Sequence, residues 1–353
     1  MTNYKLFTKN KNLYATMLAD VAQAEKFIYL ETYIYGNDKI GEQFRDLLIK
    51  KARTGVNVKI IIDDFGSEVK ESFFSELIKT GGQIKFFRKF IYSLKLVSKN
   101  NSRNHRKLLT IDNKITYLGS SNIKEKHLDW HELNIRLENG IAEYFSSIFL
   151  DNFKIANKKS FMKKWHIFPV RYGLFEIIRD VPSIKFNKIR KRKIELIRQA
   201  KKQVLIETPY FLPDKKFRKA LKIAVRKGVD VKIIIPKKSD VKIIDILRNR
   251  YLGNLHKNGI KIYFYNKKNL HSKFLIIDDI SFSLGSANIN FRSLYMEFEL
   301  NLFGWDKQII QELENIFKND LMSTEKFDYK KYLSRSRIQK IIEKILAKVR
   351  ENL

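Results

Sequence analysis

Two stretches decide the fold: NHRKLLTIDNKITYLGSSN, from Asn104 to Asn122, and LHSKFLIIDDISFSLGSAN, from Leu270 to Asn288. Both obey one rule, which reads His-x-Lys, four residues, Asp, six residues, Gly-Ser-x-Asn. The residues between these points are β-formers, so a His and a Lys two apart are expected on one face of a strand. Ser120 and Asn122, like Ser286 and Asn288, are expected to share a face of the strand that follows. Each copy thus offers an imidazole, an ammonium, a hydroxyl and a carboxamide along one sheet edge. A lone His-x-Lys on a strand is usually surface decoration. The full pattern, found twice at equal internal spacing, is hard to assign to chance.

The repetition extends outward. Residues 22–35, AQAEKFIYLETYIY, match residues 198–211, RQAKKQVLIETPYF, with Glu31-Thr32 and Glu207-Thr208 shared. An amphipathic helix pattern follows in each copy, then KARTGVNVKIIID at 51–63 and AVRKGVDVKIIIP at 224–236. Gly55 and Gly228 read as helix stops, and the runs Val58–Ile62 and Val231–Ile235 as strands buried on both faces. A second helix leads to GGQIKFF at 81–87 and NGIKIYFY at 258–265. Strand, helix, strand, helix, strand is the signature of a parallel sheet covered by helices. The chain is therefore expected to be α/β, with two tandem repeats, each a mostly parallel mixed sheet flanked by helices, packed around one shared active site. The boundary is expected within 155–190, where Pro169, Pro182 and a basic run fall, which divides the chain into 1–165, 166–330 and a C-terminal basic amphipathic helix, 331–353.

The paired motif suits chemistry at a phosphodiester. Lys107, Lys273, Asn122 and Asn288 can neutralise and hydrogen-bond non-bridging oxygens as charge grows in the transition state. One neutral histidine of the pair His105 and His271 can attack phosphorus while the other, protonated, protonates the departing alkoxide. A single copy supplies only one imidazole, which gives the duplication a functional reason. Asp112 and Asp278 complete the candidate catalytic set, but their place inside the strand pattern reads as an ion-pair or turn partner in preference to a catalytic acid.

The double motif resembles the phospholipase D superfamily. Its flanks, NSRNHRK at 101–107, TPYFLPD at 208–214 and GSANINFRSLYMEFELN at 285–301, resemble the cardiolipin synthase branch, and the resemblance runs from about residue 22 to 321. It implies a carboxylate holding each imidazole beyond the Gly-Ser-x-Asn: Glu299 in copy two, and Glu132, one residue out of register, in copy one. Such a contact would fix the tautomer and steady the imidazolium. The resemblance further implies that Arg292 and Ser293, with Ser120 and Ser286, line a headgroup site, that His105 is the nucleophile and His271 the general acid, and that no metal or other cofactor is needed. Glu297 stands where the family commonly has Asn. The activity implied is transfer of a phosphatidyl group from phosphatidylglycerol to a second lipid through a phosphohistidine. Hydrolysis by the same route, or metal-independent nuclease activity, is the alternative within the superfamily.

Composition bounds the partners. The 353 residues carry 70 Lys and Arg against 38 Asp and Glu, a formal net charge of +32. That field favours an anionic partner, an acidic membrane surface or nucleic acid. The chain has no cysteine, which excludes disulfides and thiolate metal sites. The six histidines read as scattered, with no helical ligand pair expected, so metal dependence is not suggested. Neither a signal peptide nor a membrane span is evident, and the expectation is a cytoplasmic protein, peripheral to the inner face of the cell membrane. Two stretches could meet a bilayer: FFRKFIYSLKL at 86–96, and RSRIQKIIEKILAKVRENL at 335–353. The second places Ile338, Ile341, Ile342, Ile345, Leu346 and Val349 on one stripe, and docking on its own domain is its expected use.

Overall fold

The computed structural model describes residues 3–87, 102–156, 168–183, 185–267 and 269–349. The first repeat contributes strands β1 (Tyr4–Lys9), β2 (Phe27–Thr32), β3 (Asn57–Asp63), β4 (Gln83–Phe87), β5 (Leu108–Ile111), β6 (Ile115–Gly119) and β7 (His131–Glu138). They form one sheet in the order β1-β7-β6-β5-β2-β3-β4. Its helices are α1 (Asn10–Ala22), α2 (Lys39–Arg53), α3 (Ser75–Lys79) and α4 (Ile141–Ile155). The second repeat contributes β8 (Val170–Tyr172), β9 (Phe175–Asp180), β10 (Gln203–Glu207), β11 (Asp230–Pro236), β12 (Lys261–Tyr265), β13 (Phe274–Ile277), β14 (Ser281–Gly285), β15 (Glu299–Gly304) and β16 (Thr324–Lys326), ordered β16-β12-β11-β10-β13-β14-β15-β9-β8. Its helices are α5 (Lys188–Gln199), α6 (Lys215–Arg226), α7 (Lys242–Lys257), α8 (Phe291–Tyr295) and α9 (Lys307–Leu321). Two more, α10 (Tyr329–Leu333) and α11 (Arg337–Val349), follow.

The β-branched runs explain the centre of each sheet: Ile60, Ile61 and Ile62, and Ile233, Ile234 and Ile235, are fully buried from both sides. Both sheets are mixed, but parallel pairing is confined to β2-β3-β4 and β10-β11-β12. The remaining strands pair antiparallel, so the parallel share is smaller than the βαβ pattern suggested. The physical reason is connection length. The motif strands β5-β6 and β13-β14 are joined by turns of a few residues, which only antiparallel neighbours accept.

Three large cores result. One lies between the first sheet and α1, α2 and α3, and another between the second sheet and α5, α6 and α7. The third belongs to both repeats: the inner faces of the two sheets close on α4 and α9, with Phe145, Phe149, Leu313 and Phe317 buried together. This shared core holds the motif segments against each other. Of the stretch 86–96, only Phe86 and Phe87, at the end of β4, lie within the described residues. Residues 157–167, inside the expected boundary, also lie outside them.

Candidate active site

The motif turns are built alike. Asp112 and Asp278 adopt positive φ, at 54° and 53°, in the β5-β6 and β13-β14 turns. Asp112 accepts from the backbone N–H groups of Glu25, Lys26 and Phe27 at 2.7–2.8 Å. Asp278 does the same for Lys201, Lys202 and Gln203. Each carboxylate clamps the start of β2 or β10, a full strand away from its motif lysine. That removes both from the catalytic set.

At the other end, the expectation of His and Lys on a strand needs revision. They lie in the extended segment just before β5 and β13, and that segment pairs with the other repeat: Asn104 bridges Phe298, and Leu270 bridges His131. His105 N–H donates to Phe298 O at 3.0 Å, and His271 N–H to His131 O at 2.7 Å. Glu299 and Glu132 are the next residues along, so each carboxylate reaches the imidazole of the opposite repeat. His105 Nδ1 lies 3.0 and 3.2 Å from the Glu299 oxygens, and His271 Nδ1 lies 3.0 and 2.9 Å from those of Glu132. With Nδ1–H donating to the carboxylate, Nε2 is left as the reactive nitrogen of each ring.

The register of the two carboxylates is in fact the same. Ser120 N–H donates to Leu133 O and Ser286 N–H to Leu300 O, both at 3.0 Å, so Glu132 and Glu299 stand at equivalent positions. The extra residue of copy two is taken up between, where a 3₁₀ turn at Glu125–His127 in copy one is replaced by α8. The motif glycines permit this pairing. A Cβ on Gly119 would strike Leu133 O and Asn134, and one on Gly285 would strike Leu300 O and Asn301, in both cases at a φ that only glycine adopts readily.

Ser120 and Ser286, expected at a headgroup site, bond the carboxylates behind the imidazoles. Ser286 Oγ donates to Glu299 and accepts from Leu300 N–H, and Ser120 bonds Glu132 and Leu133 N–H. Lys107 Nζ and Lys273 Nζ each donate to the backbone carbonyl of their own motif histidine at 2.6 Å. Asn122 Oδ1 accepts from Ile34 N–H at 3.1 Å, leaving its Nδ2 as a donor. Asn288 Oδ1 is buried and has no hydrogen-bond partner among the described residues.

The electrostatics of the two halves differ. Burial, then Lys107, pushes the His105 imidazole well below its ordinary pKa, and burial also lowers that of His271. Burial brings Lys107 down to about 7 and Lys273 to about 8. Burial works to raise Glu132 too, but the His271 imidazole and its hydrogen bond win and leave it at about 2. Burial raises Glu299 against the pull of Lys107.

Several neighbours carry no motif signal. Tyr33 meets the His105 ring edge-on at 5.2 Å, and Trp130 meets His271 at 5.3 Å. Glu297 is buried beside His105, accepting from Arg292 Nε at 3.1 Å and Ser293 Oγ at 3.2 Å. Arg292 and Ser293 therefore act on this carboxylate. Buried Lys193 donates to Ala287 O in the Gly-Ser-x-Asn loop. The shared Glu-Thr carboxylates are packed differently: Glu31 accepts from Asn104 and Asn152, whereas Glu207 accepts from Ser272 beside Asp320 and His131.

Among the described residues, two groups bring three His or carboxylate atoms within 4.8 Å of one another: His105, Glu297, Glu299, and His131, Glu207, Asp320. In both the imidazole is already bonded to a carboxylate, His131 Nε2 to Asp320 at 2.8 Å, so both read as ion-pair clusters. His127 and His131 are four apart in sequence but lie on a 3₁₀ turn and a strand, and His127 stacks on Trp130 at 3.9 Å. They make no helical ligand pair.

Known proteins match the chain along most of its length. The family described as cardiolipin synthase, PLD-like domain matches residues 17–153 and 194–321. The chain is 33% identical to the major cardiolipin synthase ClsA of Bacillus subtilis (strain 168), across 99% of this chain and 77% of that protein. Identity to a cardiolipin synthase of Clostridium perfringens (strain SM101 / Type A) is also 33%, across 97% and 75%. The crystal structure of phosphatidylserine synthase from Haemophilus influenzae Rd KW20 shares the fold, with a TM-score of 0.78 over 99% of this chain and 95% of that one, at 13% identity. With both repeats matched and the relatives aligned along nearly its whole length, the chain belongs to the phospholipase D-like cardiolipin synthase family.

Proposed function

We propose that the chain transfers a phosphatidyl group between anionic phospholipids at a membrane surface, making cardiolipin from two molecules of phosphatidylglycerol. In the first step His105 Nε2 attacks phosphorus and the P–O bond to the headgroup glycerol breaks. His271 gives its proton to that oxygen, and glycerol leaves. In the second step the glycerol hydroxyl of another phosphatidylglycerol attacks the phosphatidyl-His105, its proton passes to His271, and the P–N bond breaks. Lys107 and Lys273 balance the charge gathering on the non-bridging oxygens throughout. The chain's own residues supply every proton and charge in this scheme.

The observation that carries the reading is the exchange of carboxylates: each histidine is oriented by the other repeat, so the two motifs make one site. The division of labour is supported by the environments. A nucleophile must be neutral, and burial lowers both imidazoles, His105 the further. A general acid benefits from a permanent anion at its back, and Glu132 stays ionised behind His271.

Incubating the purified chain with phosphatidylglycerol in detergent micelles and excess chelator tests this directly. Release of glycerol with appearance of a four-chain lipid is expected. The net charge of +32 also suits nucleic acid, so single-stranded DNA is the second arm. Cleavage of DNA with no lipid turnover would refute the lipid reading.

A further inference from the structure

We propose that α11 is an interfacial helix that seats the protein on an anionic phospholipid bilayer. Its isoleucines face solvent: Ile338 is 69% exposed, Ile341 55%, Ile342 42% and Ile345 58%. Spaced i, i+3, i+4 and i+7, they form one stripe. The docking expected of this helix is real but uses another edge. The helix packs on α7, where Leu346 joins Leu212, Ile244 and Leu247. Buried Glu343 accepts from Arg335 Nη1 at 2.6 Å, and Arg335 in turn stacks 3.7 Å over Tyr332. Leu346 and Glu343 lie about a third of a turn from the centre of the isoleucine stripe, so this clamp holds the apolar face outward.

Charge selects the occupant. Exposed Arg337 and Lys340 stand beside the isoleucines. An apolar stripe next to basic side chains fits the boundary between acyl chains and anionic headgroups. The helix has 13 residues, about 20 Å in length, too short to cross a hydrocarbon core of about 30 Å. Among the described residues no helix is long and apolar enough to cross a membrane, so α11 lies on the bilayer and not through it.

Position links the helix to the site. Leu346 packs in the same cluster as Tyr210, and the Tyr210 ring stands 6.3 Å from that of His271. A bilayer held along α11 therefore lies beside the cleft that its lipids must enter. The choice of lipid over a second copy of the chain as the occupant rests on the function proposed above.

The test compares the full chain with Ile341→Asp/Ile345→Asp and with Arg337→Gln/Lys340→Gln by sedimentation with equimolar phosphatidylglycerol–phosphatidylcholine vesicles. All these side chains are exposed, so unchanged melting temperatures are expected. The aspartate pair should weaken vesicle binding about tenfold or more, and the glutamine pair about threefold with a shallower salt dependence. Turnover in detergent micelles should stay at the parent level for both. The proposal is overturned if the parent ignores the vesicles, if the aspartate pair binds as well as the parent, or if that pair instead converts a dimer to monomers. Absence of micelle turnover in the parent counts against the proposed reaction alone, because the vesicle arm reads α11 independently.

Discussion

The His105 half and the His271 half of the site share a backbone plan but not a chemistry. In both, a cross-repeat bridge sets a glutamate behind the ring and a lysine beside it. Around His271 the Glu132 carboxylate stays ionised, held at about 2. Around His105 burial lifts the Glu299 carboxyl, and a second carboxylate, Glu297, stands alongside. Duplication supplies two imagewise imidazoles. The residues around them then differ, which is the basis of the roles proposed for His105 and His271.

The largest effects should come from the histidines themselves. His105→Ala and His271→Ala are each expected to lower kcat by ~10³–10⁴-fold, and the double variant should be little worse, since groups acting as a unit fail together. Additive losses in steady-state assays would mean two independent half-sites. Next come the lysines. Lys107→Met and Lys273→Met should each cost ~10²–10³-fold in kcat/KM. Because burial lowers Lys107 to about 7 and Lys273 to about 8, both are charged below that window and lose charge above it. Affinity for a non-hydrolysable phosphodiester should therefore fall as pH rises from 7 to 8, and Lys107→Met should lose the lower step.

The glutamates separate the halves by stability. Glu132 titrates lower in the folded chain, at about 2 against 4.5, so its contribution is present above pH 4.5 and is lost as pH falls toward 2. Glu132→Gln should remove it, flatten the acid limb of denaturant-measured stability, and cut kcat by ~10²-fold or more. Glu299 shifts the other way, so Glu299→Gln should leave that acid limb intact. An equal loss in both variants would erase the distinction drawn here. The smallest effect belongs to Glu297→Gln. Removing an anion beside His105 should lower KM for an anionic lipid by about threefold with kcat nearly unchanged. A raised KM would instead make Glu297 a ligand for the headgroup.

Much of this was legible in the sequence for local reasons. The β-branched runs of β3 and β11 announce strands, Gly55 and Gly228 announce helix stops with φ near 87°, and the paired His-x-Lys to Gly-Ser-x-Asn spacing announces the motif. What depended on distant pairing was not legible. Nothing in the local pattern says that Asn104 meets Phe298, so the exchange of Glu132 and Glu299 between repeats has no sequence signal. The one-residue offset of Glu132 dissolves only when the 3₁₀ turn and α8 are seen to occupy loops of different length. Ser120 and Ser286 carry the right hydroxyl for a phosphate, yet spend it on glutamates and strand N–H groups. The isoleucine stripe of α11 was plain as a pattern, but which edge would dock depended on Glu343, Arg335 and Leu346 finding α7.

The central claim is that the halves are unequal, with His105 as nucleophile and His271 as acid, and covalent trapping tests it most directly. A phosphodiester lipid with a p-nitrophenyl leaving group needs no general acid to depart. Mixed with the His271→Ala variant, radiolabelled at phosphorus and quenched in alkali, it should leave label on the peptide containing His105, while the His105→Ala variant stays unlabelled. Label on the His271 peptide of the His105→Ala variant, with none on the His105 peptide of the other, would contradict the account and exchange the two roles.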